Sequence, residues 1–199
     1  MHESMVTDYP LVDITSIPAK VENIKYPMAG QSSHHVRLGV YNLSGDPLVY
    51  MNTEGPKDQY LCSVGWTPDS KSVLIGLLNR DQNHLKLNRY NAQLGNIIKP
   101  ILEEKSDKYV EPENAAWFNP NNPEEFIWMS ERSGYQHLYL YDLEGNLKRS
   151  LTLDKWEAHK IIGFDATGNY LLVHGTGETK VKNKVDDESF NGMQRYTHL

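Results

Sequence analysis

The chain has 199 residues, is 39% hydrophobic and 23% charged, and carries a net charge of -6. That composition suits one globular domain or a few repeat units and excludes a disordered chain. The acidic balance argues against a general nucleic-acid binder, which needs clustered Lys and Arg. The nearest basic run, "KVKNK" at 180–184, is followed after Val185 by "DDE" and reads as a solvated loop.

The N-terminal "MHESMVTDYP" has no basic start and no apolar core, so it does not read as a signal peptide. No apolar stretch approaches the roughly 20 residues of a membrane helix. "GQSSH" at 30–34 brings Gly, Ser and His together but lacks the second glycine of a nucleophile elbow. The single cysteine, Cys62, rules out a disulfide within the chain and any zinc site built on several cysteines. It lies in the apolar run "YLCSVGW" and reads as a buried small hydrophobe.

From residue 34 onward a pattern repeats. "HHVRLGVYNLSGDPLVYMNT" (34–53), "NHLKLNRYNAQLGNIIKPILEE" (83–104) and "QHLYLYDLEGNLKRSLTL" (136–153) each hold a strand-like run, a Tyr-Asn or Tyr-Asp pair, a glycine turn and a second apolar run. Tyr41, Tyr90 and Tyr141 lie 49 and 51 residues apart. "GWTPDSKSVLIGLLNR" (65–80) likewise matches "WFNPNNPEEFIWMSER" (117–132), and a further copy opens at "GFDATGNYLLVHG" (163–175).

The runs are short and rich in Val, Ile, Leu, Tyr and Trp, and the connections are rich in Gly, Asn, Asp and Pro. Pro100 interrupts the one stretch that tempts a helical reading. Four-stranded units at this period predict an all-β chain: an incomplete β-propeller of about three to four blades of four-stranded antiparallel sheets. The repeats fall at roughly 34–60, 61–110, 111–160 and 161–199, within a single fragment spanning 1–199. An incomplete ring leaves strand edges and blade faces open, which invites pairing with a second copy.

His84 and His137 occupy equivalent places in two repeats, as do Arg80 and Arg132. A scaffold needs a group once per repeat and a catalyst needs it once, so these read as structural. Trp66, Trp117, Trp128 and Trp156 are expected to fill the cores between blades. "EE" at 124–125 reads as a solvated pair in an Asn/Pro-rich turn, and "EE" at 103–104 as lying after the Gly95 turn.

The joined motifs "LNRDQNHLKL", "KYVEP", "FIWMSERSGYQHLYLYDLEGNLKRSLT", "YPMAG" and "WTPDSK" carry a resemblance. Over roughly residues 5–175 the chain resembles the N-terminal β-propeller domain of the dipeptidyl peptidase IV family, serine exopeptidases of the prolyl oligopeptidase clan. The resemblance implies a parent hydrolase, periplasmic or extracellular, whose separate α/β-hydrolase domain carries the Ser-Asp-His triad. The propeller would gate and shape access to a site releasing X-Pro or X-Ala dipeptides from peptide N-termini. This chain holds no nucleophile elbow and no glutamate pair in the family's amine-binding context, so no catalytic residue, cofactor or metal is expected in it. The loop "DKYVEP" at 107–112 is the candidate contact: the resemblance implies that Tyr109 and Glu111 touch peptide beyond the cleaved dipeptide. The expected partners are the hydrolase domain and peptide substrates, with no nucleic acid. The competing reading is a stand-alone propeller-like module that binds a peptide or protein and does no chemistry.

Overall fold

The computed structural model describes residues 1–176 and the backbone of strand residues 193–198. The basic run at 180–184 lies outside the described residues. Every regular element among the described residues is a β-strand.

A hairpin of β1 (Asp8–Asp13) and β2 (Lys20–Lys25) comes first, then a minimal pair, β3 (Gly39–Val40) and β4 (Val49–Tyr50). Next come β5 (Tyr60–Trp66), β6 (Ser72–Leu78), β7 (His84–Asn91) and β8 (Ile97–Lys105), a four-stranded antiparallel meander. A second meander follows, made of β9 (Trp117–Asn119), β10 (Asn122–Ser130), β11 (His137–Asp142) and β12 (Leu147–Ser150). The last described sheet pairs β13 (Ala158–Phe164), β14 (Tyr170–Gly175) and β15 (Met193–His198).

The central strands are buried on both faces, and the two-residue period of a strand sends alternate side chains into two different interfaces. In β6, Val73, Ile75 and Leu77 join Met51 and Tyr90 on one side. Leu74 and Leu78 join Leu85, Leu87, Phe126, Trp128 and Tyr141 on the other. In β10 the split recurs: Phe126 and Trp128 face back, while Ile127 and Met129 pack with Leu138, Ile161, Leu171 and Val173 of the next interface. The core is therefore a row of apolar layers between stacked sheets.

The repeated turns share one local chemistry. Asn42, Asn91 and Asp142 each accept the amide two residues on, from Ser44 at 3.0 Å, Gln93 at 2.9 Å and Glu144 at 3.1 Å. These side-chain turns are why Asn or Asp recurs there. The glycines that follow, Gly95 and Gly145, have φ of 74° and 89°. A Cβ on Gly95 would overlap the carbonyl oxygen of Tyr50, and one on Gly145 that of Ile101. Each glycine turn thus sits directly on the last strand of the preceding sheet. Pro100 is accommodated because β8 is an edge strand, and it sits opposite Asn88 where the register shifts.

Three expectations need correction. Trp66 is not core: it is 51% exposed. A bulge between Cys62 and Gly65, with Ser63 at φ 49°, breaks the alternation just before it. Trp128 and Trp156 are buried, and Trp117 packs at the edge of a core layer. Glu124 and Glu125 lie within β10, not in a turn, because the strand continues past an irregularity between Asn122 and Phe126. The first repeat contributes two two-residue strands, while the β1–β2 hairpin, where the sequence reading placed no strand, forms at 8–25.

Candidate functional site

A meander puts its turns at alternating ends. The glycine turns share one end of the sheets. The other end carries the β6–β7 turn, the β10–β11 turn and the long β8–β9 connection. Arg80, Tyr109, Glu111 and Arg132 all lie at this second end.

The 106–116 connection is pinned. The Ser106 amide donates to the Asn83 carbonyl at 3.0 Å and the Val110 amide to the Gln82 carbonyl at 2.8 Å. The Ser63 hydroxyl donates to the Pro112 carbonyl at 3.2 Å. Val110 is buried in the core layer below. Pro112 favours an extended Glu111, so the neighbours of the buried Val110 are turned out. Tyr109 is 66% exposed and Glu111 is exposed.

Together they flank an open cleft of about 650 Å³ that Trp128, Ser130, Glu131 and Arg132 also line. On its other side Tyr109 borders a shallower depression of about 560 Å³ that contains Tyr60 and Arg80. The structure therefore brings Tyr109 and Glu111 together with Arg132, and places Arg80 in the adjoining depression.

The cleft wall also holds Glu104, half of the "EE" pair at 103–104 to which the sequence assigns no role. Glu104 accepts Trp128 Nε1–H at 2.7 Å, the Ser130 hydroxyl at 2.9 Å and Arg132 Nη2–H at 2.5 Å. Its side chain is 11% exposed and that of Arg132 31%. Arg132 also donates from Nε to Ser130 Oγ at 3.0 Å and from Nη1 to the Tyr141 hydroxyl, and it lies 4.5 Å from the Tyr139 ring centroid. Burial disfavours the Arg132 cation, but Tyr141 and Glu104 outweigh it and push its pKa up. Glu103, one residue earlier, is half-exposed and meets His84 and Lys105 instead. Strand alternation splits the "EE" pair: Leu102 and Glu104 share one side of β8. Ile101 is buried in the same core layer where the register slips, so a step of two along the sequence does not single out Glu104.

At the cleft's rim, burial raises the Glu131 carboxyl above the usual carboxylate range, and the nearby Glu111, Glu157 and Glu113 add to the effect. The equivalent histidines diverge. His137 is buried between Thr152 Oγ1, at 3.1 Å, and the Asp154 carbonyl, at 3.0 Å. Neither histidine lines this cleft, so Ser106 and Ser130 have no imidazole there to take a proton. Among the described residues, no group of three or more His, Cys, Asp or Glu is placed to hold a metal ion. No helix of the described residues is long and apolar enough to cross a membrane. The arrangement offers an aromatic, one fixed carboxylate and an oriented guanidinium: the means to hold a polar chain.

Stacked four-stranded antiparallel meanders, with a polar cleft at one end, define the chain as blades of a β-propeller. The family described as "Dipeptidyl peptidase IV (DPP IV) N-terminal region" matches residues 1–185, and the chain belongs to it. The crystal structure of a protein provisionally assigned as a dipeptidyl aminopeptidase IV from Bacteroides ovatus ATCC 8483 is similar at a TM-score of 0.80. That structure is 39% identical, with 87% of this chain and 27% of that one covered. "Dipeptidyl peptidase 4" of Arthroderma otae is 25% identical over 166 residues, 80% of this chain and 21% of the relative. "Inactive dipeptidyl peptidase 10" of Rattus norvegicus is 24% identical over 182 residues, 84% of this chain and 22% of the relative. The chain thus spans about a quarter of the length of these relatives.

Proposed function

We propose that this chain is the non-catalytic propeller portion of a serine dipeptidyl peptidase, and that the 107–112 loop shapes the approach of peptides to a separate hydrolase site. One observation carries the reading: the buried Val110 anchors the loop while Tyr109 and Glu111 stand at the mouth of the cleft. On this reading the substrates are peptides losing an X-Pro or X-Ala dipeptide from the N-terminus. The partner is an α/β-hydrolase domain, the setting is periplasmic or extracellular, and copies pair through open strand edges.

The test is steady-state hydrolysis by the intact gene product. Tyr109→Ala is expected to raise KM severalfold for hexapeptides and to leave a dipeptide chromogenic substrate unchanged. The isolated chain should hydrolyse neither. Equal effects on both substrates, or hydrolysis by the isolated chain, would sink the reading.

A second reading has its own support, since one of the similar proteins bears the name of an inactive peptidase. On it, the same cleft holds a peptide or protein segment and no bond is broken. An intact gene product that binds the hexapeptide without cleaving it would favour this second reading.

A further inference from the structure

The cleft contains one side chain whose hydrogen-bonding capacity is only partly used. A guanidinium has five N–H donors. Arg132 gives one from Nε to Ser130, one from Nη1 to Tyr141 and one from Nη2 to Glu104. One N–H on each terminal nitrogen has no acceptor among the described residues. The side chain lines the cleft and remains partly exposed. Three hydrogen bonds and the Tyr139 ring fix its plane before any ligand arrives, so little ordering is left for binding to do.

The surroundings select the acceptor. Glu104 already balances the guanidinium charge at 2.5 Å. Glu103, Glu111 and Glu131 line the same cleft with Lys105 and Lys108, and Glu103 already holds Lys105, so an incoming carboxylate finds no net positive field. A neutral oxygen with a strong dipole needs none. The cleft is open and runs beside the 107–112 loop, a shape that admits a length of main chain.

We infer that Arg132 is a peptide-binding residue of this cleft: its two free N–H groups take a main-chain carbonyl oxygen of an extended peptide, downstream of the released dipeptide. Glu104 is its positioning residue. The inference rests on the peptide-binding reading above and names the group that does the holding.

The experiment measures binding to the intact gene product by isothermal titration calorimetry. The probes are the hexapeptide Ala-Pro-Ala-Ala-Ala-Ala, with a reduced amide after the proline to block hydrolysis, and the dipeptide Ala-Pro. Arg132→Met is expected to weaken the hexapeptide about tenfold and leave the dipeptide unchanged, in line with one charge-assisted hydrogen-bonded contact. Arg132→Lys retains the charge beside Glu104 but not the fork, and guards against misfolding of the first variant. It should weaken the hexapeptide about threefold. Glu104→Gln, which frees the guanidinium to turn, should do the same.

If the Arg132 variants bind the hexapeptide like the wild type while Tyr109→Ala weakens it, the inference falls and the peptide-binding reading stands. If the wild type does not bind the hexapeptide, or no variant alters binding, that reading falls and the inference with it. Equal weakening of hexapeptide and dipeptide by Arg132→Lys also overturns the inference, because it marks a general loss of structure.

Discussion

Glu104 and Arg132 meet across the junction of two sheets, with Nη2 2.5 Å from Oε1, although 28 residues separate them in the chain. The carboxylate is mostly buried and also serves Trp128 and Ser130, so removing it strands three donors at once. Glu104→Ala should lower the unfolding free energy by about 3 kcal/mol, the scale for breaking a buried pair. Glu103→Ala, which removes a half-exposed carboxylate from the partly buried His84 and the exposed Lys105, should stay within about 0.5 kcal/mol. Urea unfolding followed by tryptophan fluorescence separates the two. Equal losses would mean that Glu104 is not the tie between these sheets.

Two glycines at opposite ends of the second meander give a matched pair of substitutions. Gly134 and Gly145 have φ of 94° and 89°, but a Cβ meets nothing near Gly134 and overlaps the Ile101 carbonyl at Gly145. Gly134→Ala should cost about 1 kcal/mol from the left-handed backbone alone. Gly145→Ala should cost at least about twice that, because the turn must also lift off β8. Melting temperatures of the two variants check the difference.

Acid should weaken the stack through its turn aspartates. Burial opposes ionisation of Asp142, but Asn146 and Lys148 outweigh it and hold the carboxyl at about 2. Hydrogen bonds hold Asp69 and Asp165 below the usual range too, chiefly from Thr67 and Thr167. A carboxyl whose folded pKa is depressed stabilises fully above its unfolded value near 4, and that stability is lost as pH falls toward 2. After solvent screening, Asp142 contributes about 1 kcal/mol. Asp142→Asn, the type of residue already present at positions 42 and 91, should flatten stability between pH 4 and 2. An unchanged acid profile in that variant would refute the assignment.

Cys62 should be slow to react in the folded protein. Burial pushes its thiol up to about 11, and Sγ lies 3.5 Å from the Gly76 carbonyl. Little thiolate exists at pH 8, and thiolate is the reactive form. Labelling with iodoacetamide at pH 8 should be slow until urea is added. Rapid labelling of the native chain would contradict this environment.

Much of the fold was legible because the repeat lies in turn chemistry. The Tyr-Asx-Gly spacing marked one end of the sheets, and the alternating apolar runs marked the strands. What misled was irregularity. The bulge at Cys62–Gly65 turned Trp66 outward, and the extension of β10 absorbed Glu124 and Glu125. Of the cleft's lining, Tyr109 and Glu111 stood out, through the family resemblance of the 107–112 loop. Glu104 did not, because its role depends on a neighbouring sheet that local sequence does not name.

The two-sided packing of β6 and β10 has a mechanical consequence. Val73 and Leu74, adjacent in sequence, anchor different layers, as do Phe126 and Ile127. Prising any two of these sheets apart bares apolar surface on both sides of the break, and the damaged strand also belongs to the next layer along. Loosening one junction therefore disturbs a strand that also anchors the next, which couples neighbouring sheets energetically.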